Sequence, residues 1–180
     1  MGPALAKNSR LDSRRVRGLV ASSMINGLHV RPLAAEQIPQ VYPLVLLFDP
    51  DLSEEQWTGY ASRLLNGTNG CHAHSILTVQ TQKGYIYGLS VYWMRPDLQR
   101  GFILEIENFA VIDMAHGRTI ARFLLQALED LGRESGCSCV SIKLISPKIR
   151  RWLRNSHASG KDLFSAAGFH GDQLRLRKCF

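Results

Sequence analysis

The chain has 180 residues and carries 22 Lys and Arg against 15 Asp and Glu, so its formal net charge is +7. An apolar fraction of 45% and an aromatic fraction of 8% are typical of one ordinary globular domain. This composition excludes collagen-like, disordered and disulfide-stapled proteins. The longest apolar runs carry charges and fall short of the roughly 20 residues that a membrane-spanning helix needs.

The charge is distributed unevenly along the chain. Residues 1–26 carry +4, residues 27–146 carry −3 and residues 147–180 carry +6. We interpret 1–26 as a basic, disordered leader and 27–180 as a single domain. The Arg-rich and Ser-rich leader also fits a transit peptide, or a true start at Met24. Four cysteines without a CxxC pair favour reduced thiols and a cytoplasmic location.

The first predicted elements alternate between strand and helix. LHVRPL at 28–33 predicts a short strand, and 34–48 predicts a helix that Pro43 bends or divides. Ser53, with Gln56 three residues later, forms a capping box that starts a second helix. The apolar positions of that helix follow a helical period: Trp57, Tyr60, Ala61, Leu64 and Leu65.

Three extended runs follow at about 73–81, 85–94 and 101–112, with no helix between them. The turn residues QKG and RPDLQRG separate them, which predicts an antiparallel meander.

The second half of the chain changes to a strand, helix, strand order. A helix over about 118–134 joins the third run to a strand at 139–146, and this crossover favours parallel pairing of the two strands. A basic helix near 148–155, a short helix near 161–167 and a last strand, QLRLRK, complete the domain. The predicted fold class is mixed α/β, with a mostly antiparallel central sheet flanked by helices.

The turn between the third run and the long helix is the most informative segment. The strand ends near Val111, Gly117 and Arg118 occupy the loop, and the helix begins near Thr119. Unpaired backbone N–H groups and the positive helix end therefore point into one small volume, where Arg118 and Arg122 add charge. Such a turn suits phosphate oxygens.

The order of elements and this turn resemble the GNAT superfamily of N-acetyltransferases. Ala110-Val111 ends the strand as in the family pattern, 116–121 (HGRTIA) falls on its Arg/Gln-x-x-Gly-x-Gly/Ala motif, and Leu124-Leu125 falls on its leucine pair. A short helix running into Gly168-Phe169 matches a second family feature. The resemblance implies an acyl-CoA N-acyltransferase fold in which the parallel strand pair splays at the CoA site.

The resemblance implies acetyl-CoA as co-substrate, no metal, and a small-molecule or peptide amine as acceptor. The pyrophosphate would lie on the 117–121 amides, the pantetheine between the parallel strands, and a backbone amide near Ala110 or Val111 would polarise the thioester carbonyl. The implied cofactor-binding residues are Phe109, Ala110, Val111, His116, Gly117, Arg118, Thr119, Ile120, Ala121 and Arg122.

The chain departs from the family pattern in three places. His116 replaces the usual Arg or Gln, and Thr119 replaces the middle Gly. Phe164 stands where many members carry a tyrosine that protonates the departing thiolate. Tyr87 and Tyr92 on the neighbouring strand are therefore the candidates for a general acid, although strand tyrosines commonly just pack.

Two carboxylates are the candidate general bases. The strand period of two puts Glu105 and Glu107 on one face, about 7 Å apart, among Ile103, Phe109 and Val111. Like charge and burial would raise the pKa of at least one of them toward that of a useful base, and the pair would attract a cationic amine. The alternative is that this face meets solvent or pairs with an arginine.

The remaining clusters predict no further chemistry. Cys71, His72 and His74 lack a completing metal ligand, and Cys137 and Cys139 are expected to pack. The sequence thus predicts an acetyl-CoA-dependent N-acetyltransferase that uses a strand carboxylate as base and has no membrane partner, with a homodimer left open. A non-catalytic acyl-CoA-binding protein and, less favoured, a nucleic-acid-binding module that uses the basic ends are the alternatives.

Overall fold

The computed structural model describes residues 24–25, 27–66, 74–112, 117–143, 163–171 and 175–180. The described strands are β1 (Met24–Ile25), β2 (Leu28–Pro32), β3 (His74–Thr81), β4 (Ile86–Asp97), β5 (Gly101–Val111), β6 (Cys139–Lys143), β7 (His170–Gly171) and β8 (Arg175–Cys179). The described α-helices are α1 (Tyr42–Val45), α2 (Glu54–Leu65), α3 (Gly117–Glu134) and α4 (Leu163–Ala166), and two 3-10 helices precede α1 at Ala35–Gln37 and Pro39–Val41.

All the described strands join one sheet in the order β1-β2-β3-β4-β5-β6-β8-β7. Each neighbouring pair is antiparallel except β5 and β6, which run parallel from the Ile103 and Cys139 pair to the Ile106 and Ile142 pair. The crossover that joins these two strands contains α3. The predicted mixed α/β fold, with one parallel pair in a mostly antiparallel sheet, is therefore confirmed.

The structure refines two predictions, and two further segments lie outside the described residues. The segment 34–48 is not one helix: it is divided into two 3-10 helices and α1, because Pro39 and Pro43 each lack the N–H that a continuous helix would use. Met24 and Ile25, assigned to the leader, pair with β2. The rest of the leader and the basic helix at 148–155 lie outside the described residues.

Helix α2 begins where the capping box predicts. The Ser53 hydroxyl accepts from the Gln56 N–H at 3.2 Å, and the Gln56 side chain accepts from the Ser53 N–H at 2.9 Å. Trp57 is buried, and its indole N–H donates to the Ile38 carbonyl at 2.9 Å. This bond ties α2 to the divided segment before it.

The sheet buries a separate apolar core on each face. The α3-face core packs α3 and α4 against the sheet, and the α2-face core packs α1 and α2 against β3, β4 and the end of β5. Glycines let α3 approach closely: a Cβ at Gly88 would lie 3.3 Å from Ile120, and one at Gly132 would lie 3.1 Å from Val140. Among the described helices, none combines the length and apolar character of a bilayer-spanning segment.

Strand β5 does not keep a strict alternation, which corrects one prediction. Leu104, Ile106, Phe109 and Val111 all belong to the α3-face core, although a period of two would put the last two on the other face. The cause is a β-bulge: Tyr92 lies opposite Ile106 and Val91 lies opposite Asn108, so that Glu107 is the extra residue. The sequence had suggested that Phe109 and Val111 surround the two carboxylates. They do not, because the bulge puts both of them on the other face.

Candidate functional site

The bulge lies just after the last described pair between β5 and β6. That pair is Ile106 with Ile142, and β5 continues to Val111. A bulge bends its strand and increases the local twist. Glu107 is thus the first residue of β5 after the last described pair.

Glu105, just before the bulge, is a buried and paired carboxylate. Its side chain is only 1% exposed, the Arg95 Nε donates to its Oε2, and the Lys143 Nζ lies 3.1 Å from its Oε1. A buried ion requires such partners, because the loss of its hydration otherwise costs several kcal/mol. The alternative prediction, pairing with an arginine, is therefore confirmed for Glu105.

Glu107 has a different environment, although it shares the same cation. Its side chain is 24% exposed, and the Lys143 Nζ lies 3.7 Å from its Oε1. Because Lys143 contacts both acids, the two carboxylates do lie on one face of the sheet, as predicted. The more accessible of the two is Glu107.

Tyr60 lies on α2, close enough to Glu107 to be affected by its charge. Burial raises the pKa of this phenol, and the negative charge of Glu107 raises it further, while Arg63 acts in the other direction. Trp57 packs beside Tyr60, with ring centroids 6.0 Å apart. Sequence reasoning missed Tyr60 as a site residue because its place in the apolar stripe of α2 was explained by packing alone.

The two tyrosines that are candidates for the general acid lie against the α3-face core. Tyr92 is buried within that core, and burial raises its pKa to about 12 despite a hydrogen bond with Ser75. Tyr87 is partly buried and packs against the same core. The structure therefore does not bring either tyrosine to Glu107, whose neighbour Tyr60 belongs to the α2-face core.

Phe164 lies in the α3-face core as well. It is fully buried and packs edge-on against Phe109 and Phe169, with centroids 6.0 and 5.7 Å away. The position that carries a hydroxyl in many family members is thus part of an aromatic cluster here.

The turn before α3 is described from Gly117 onward, and His116 lies outside the described residues. Helix α3 begins at Gly117, two residues earlier than predicted, so its first turn includes Arg118 and Thr119. The N–H groups of a first turn have no partner within the helix. Of the candidate side chains, Thr119 and Arg122 are exposed and Arg118 is half-buried.

The remaining cofactor-binding candidates are apolar and buried. Ile120 and Ala121 pack into the α3-face core with Phe109 and Val111, and Ala110 packs into the α2-face core. Their side chains are therefore part of the two cores. Contacts with a polar ligand at these positions would be made by the backbone.

The cysteines and histidines form no metal cluster in the part of the chain that the structure describes. Cys71 and His72 lie outside it. Cys137 and Cys139 are buried, as expected for packing residues, and burial raises the pKa of Cys137 to about 12. A thiol with so high a pKa is a poor nucleophile.

Comparison with known families identifies the domain. The acetyltransferase (GNAT) family model matches residues 38–150, which is more than half of the chain. The chain belongs to the GNAT family. No curated protein matches the sequence significantly.

Solved structures confirm the GNAT-like fold at low sequence identity. The NatC complex bound to Gag peptide and CoA is 18% identical, with a TM-score of 0.58, over 85% of this chain and 98% of that one. An aminoglycoside N-acetyltransferase in complex with CoA is 16% identical, with a TM-score of 0.58, over 72% and 85%. Glucosamine-6-phosphate N-acetyltransferase from Arabidopsis thaliana is 14% identical, with a TM-score of 0.57, over 82% and 94%.

Proposed function

We propose that this GNAT protein is an acetyl-CoA-dependent N-acetyltransferase that acts on a primary amine, with Glu107 as general base. One observation carries the proposal: a partly exposed carboxylate projects from the bulge of β5, just after the last described pair with β6. The CoA-bound relatives of the same fold support acetyl-CoA as the co-substrate.

The residues present fit such a co-substrate. The first turn of α3 offers N–H groups to a pyrophosphate, with Arg118 and Arg122 beside them, while the end of β5 offers backbone groups to a thioester. Acetyl-CoA supplies the acetyl thioester when it is bound. The end of β5 then holds and orients that group through its backbone, above the buried side chains of Phe109, Ala110 and Val111.

The role of Glu107 is to bind the acceptor and remove its proton. An ammonium group is attracted to the carboxylate, and the neutral amine forms once the ammonium loses a proton to solvent. In the transfer a nitrogen–carbon bond forms, the carbon–sulfur bond breaks, a second amine proton goes to Glu107, and the thiolate takes a proton from solvent. We assign the thiolate proton to solvent because Phe164 provides no hydroxyl.

Glu105 is not the base that we propose. Its carboxylate is buried and committed to Arg95 and Lys143, so an acceptor amine would have to displace an ion pair to reach it. Tyr87 is not the acid that we propose, because it packs against the other core. Substitution of Glu105 and of Tyr87 would test whether either residue takes part in the reaction.

Two measurements test the proposal. Calorimetry with acetyl-CoA is expected to show binding at micromolar concentration, and thiol release is expected with at least one amine from a panel of an aminoglycoside, glucosamine 6-phosphate, a peptide with a free N-terminus and a polyamine. The first two acceptor classes and the peptide follow the names of the structural relatives. Acetyl-CoA binding without thiol release from any amine would favour the non-catalytic alternative, which the missing hydroxyl at Phe164 makes a specific rival.

The cytoplasmic location and the small-molecule or peptide acceptor also remain proposals. The first is supported by the absence of a CxxC pair in the sequence, and the second by the neighbours named above. Nucleic-acid binding through the basic ends would instead show itself as an affinity that falls steeply with salt.

A further inference from the structure

We infer that Lys143 is a positioning residue for Glu107, anchored in place by the buried ion pair of Glu105 with Arg95. The inference rests on the proposed function, because it names a residue that positions the proposed base. Nothing in the family match identifies Lys143, which lies outside the turn and the Gly-Phe feature.

The pairing of the two parallel strands brings Lys143 to this place. Ile142 pairs with Ile106, so the next residue of β6, Lys143, follows the last described pair just as Glu107 does on β5. Its Nζ lies 3.1 Å from Glu105 Oε1 and 3.7 Å from Glu107 Oε1. One ammonium group therefore joins the buried acid to the exposed one.

The contact with the buried Glu105 favours one position of the Lys143 side chain. A Lys side chain loses much rotamer freedom when it is fixed, and an exposed ion pair rarely repays that loss. The contact with Glu105 is different, because Glu105 is 1% exposed and its charge needs both Arg95 and Lys143 as partners. Glu105 and Arg95 thus act as the anchor, and Lys143 extends from the anchor to Glu107.

The charges around Glu107 define what Lys143 does. Glu107 is faced by Glu105 on its own strand, by Lys143 on β6 and by Tyr60 on α2; Arg95 on β4 is paired with Glu105, and Arg63 on α2 lies near Tyr60. Among the described residues, Lys143 is a cation in contact with Glu107. This contact limits the positions that the carboxylate can take.

The expected effect follows from position. Without the ammonium group, the Glu107 carboxylate can adopt orientations in which it does not reach the acceptor nitrogen. We therefore expect kcat to fall by about tenfold while the KM for acetyl-CoA does not change.

The experiment compares Lys143→Met, Lys143→Arg and the matched control Lys178→Met. Lys178 is also a salt-bridged lysine of this sheet, 2.7 Å from the buried Glu129, but it lies on the α3 face. Initial rates of thiol release are measured over a range of acetyl-CoA concentrations with the most active amine of the panel. We expect kcat to fall about tenfold in K143M with an unchanged KM for acetyl-CoA, to recover in K143R, and to stay unchanged in K178M.

A double substitution tests whether Lys143 acts through Glu107. In the Glu107→Gln background, K143M is expected to change kcat/KM less than twofold, because the group that it positions is already gone. If K143M proves too unstable, Lys143→Gln keeps a hydrogen-bonding side chain without the charge and is expected to give the same loss of kcat.

The outcomes separate the two proposals. An active parent protein whose kcat does not fall in K143M or K143Q overturns the role of Lys143 and leaves the proposed function standing. An equal loss of kcat in K178M also overturns it, because the effect would then be one of general stability. A parent that binds acetyl-CoA and acetylates no amine overturns the proposed function, and this inference with it.

Discussion

The two faces of the sheet each bury a glutamate, and they use it differently. On the α3 face Glu129 is paired with Lys178 at 2.7 Å and Arg133 at 3.5 Å. On the α2 face Glu105 is paired with Arg95 and Lys143, and Lys143 also reaches Glu107. Burial of a charge alone therefore does not mark a functional site. A shared cation does not mark one either, because Arg133 also lies 3.3 Å from the exposed Asp130, just as Lys143 reaches Glu107. The α2 face differs in that its accessible acid lies on a β-bulge of the sheet.

The faces also differ in how they keep titratable groups. Tyr92 and Cys137 are buried as neutral groups in the α3-face core, and burial raises the pKa of each to about 12. The region around Glu107 instead contains partly exposed side chains, among them Glu107 and Lys143. We propose that the first face serves stability and the second serves chemistry, and the following substitutions test that division.

The largest expected effect is on stability, from Phe164→Ala. This side chain is fully buried between Phe109 and Phe169, so its removal leaves a cavity and is expected to lower the free energy of unfolding by about 3–5 kcal/mol. Urea denaturation measures the change. The exposed aromatic Tyr85 provides a control, because Tyr85→Ala is expected to change stability by less than about 0.5 kcal/mol. Equal losses in the two variants would contradict the assignment of Phe164 to the core.

Next in size is the loss of rate in Glu107→Gln. A positioned general base contributes about 10²- to 10⁴-fold, so kcat/KM is expected to fall at least 100-fold while calorimetry shows unchanged acetyl-CoA binding.

Glu105→Gln is the matched comparison on the same strand. It removes a paired buried charge, so we expect a lower midpoint of thermal unfolding and a smaller loss of rate than in E107Q. A greater loss of rate in E105Q than in E107Q would reverse the roles that we assign to the two acids.

Alkaline pH is expected to weaken the fold through the α3-face core. Because Tyr92 and Cys137 have a higher pKa in the folded protein than in the unfolded chain, their contribution is complete below about pH 9 and is lost as the pH rises toward 12. Denaturation between pH 8 and 11 measures this slope. Tyr92→Phe is expected to flatten it above pH 10, and an unchanged slope would mean that Tyr92 is not buried as a neutral phenol.

The smallest effect is a difference in labelling among the cysteines. Cys179 is exposed, whereas Cys137 and Cys139 are buried and their pKa values are raised by burial. Brief treatment with iodoacetamide at pH 8, followed by peptide mapping, is expected to modify Cys179 in the folded protein and the buried pair only after denaturation. Rapid labelling of Cys137 would contradict its place in the core.

Local sequence signals predicted the elements that local chemistry controls. The Ser53 and Gln56 capping box located the start of α2, and the strand, helix, strand order predicted the parallel pairing of β5 with β6. These features depend on residues a few positions apart or on a handedness that nearly all such crossovers share, so they can be inferred without coordinates.

The site itself depended on contacts between distant parts of the chain. Glu105 and Glu107 were identified from the strand period, and the resemblance identified the turn before α3. The bulge at Glu107, the pairing of Lys143 and the approach of Tyr60 were not predicted. A bulge is a property of two paired strands, and a strand period read from one strand assumes that none is present.

The sequence by itself determined the order of the elements, the parallel pair and the family of the domain, because periodicity, caps and the turn motif are written along a single segment. Only the tertiary structure decided which acid is buried and which is accessible. That choice follows from the strand register between β4, β5 and β6, which places Arg95 and Lys143 against Glu105 and only the end of Lys143 near Glu107. The desolvation of a carboxylate depends on the charges around it in space, and those charges come from three different strands.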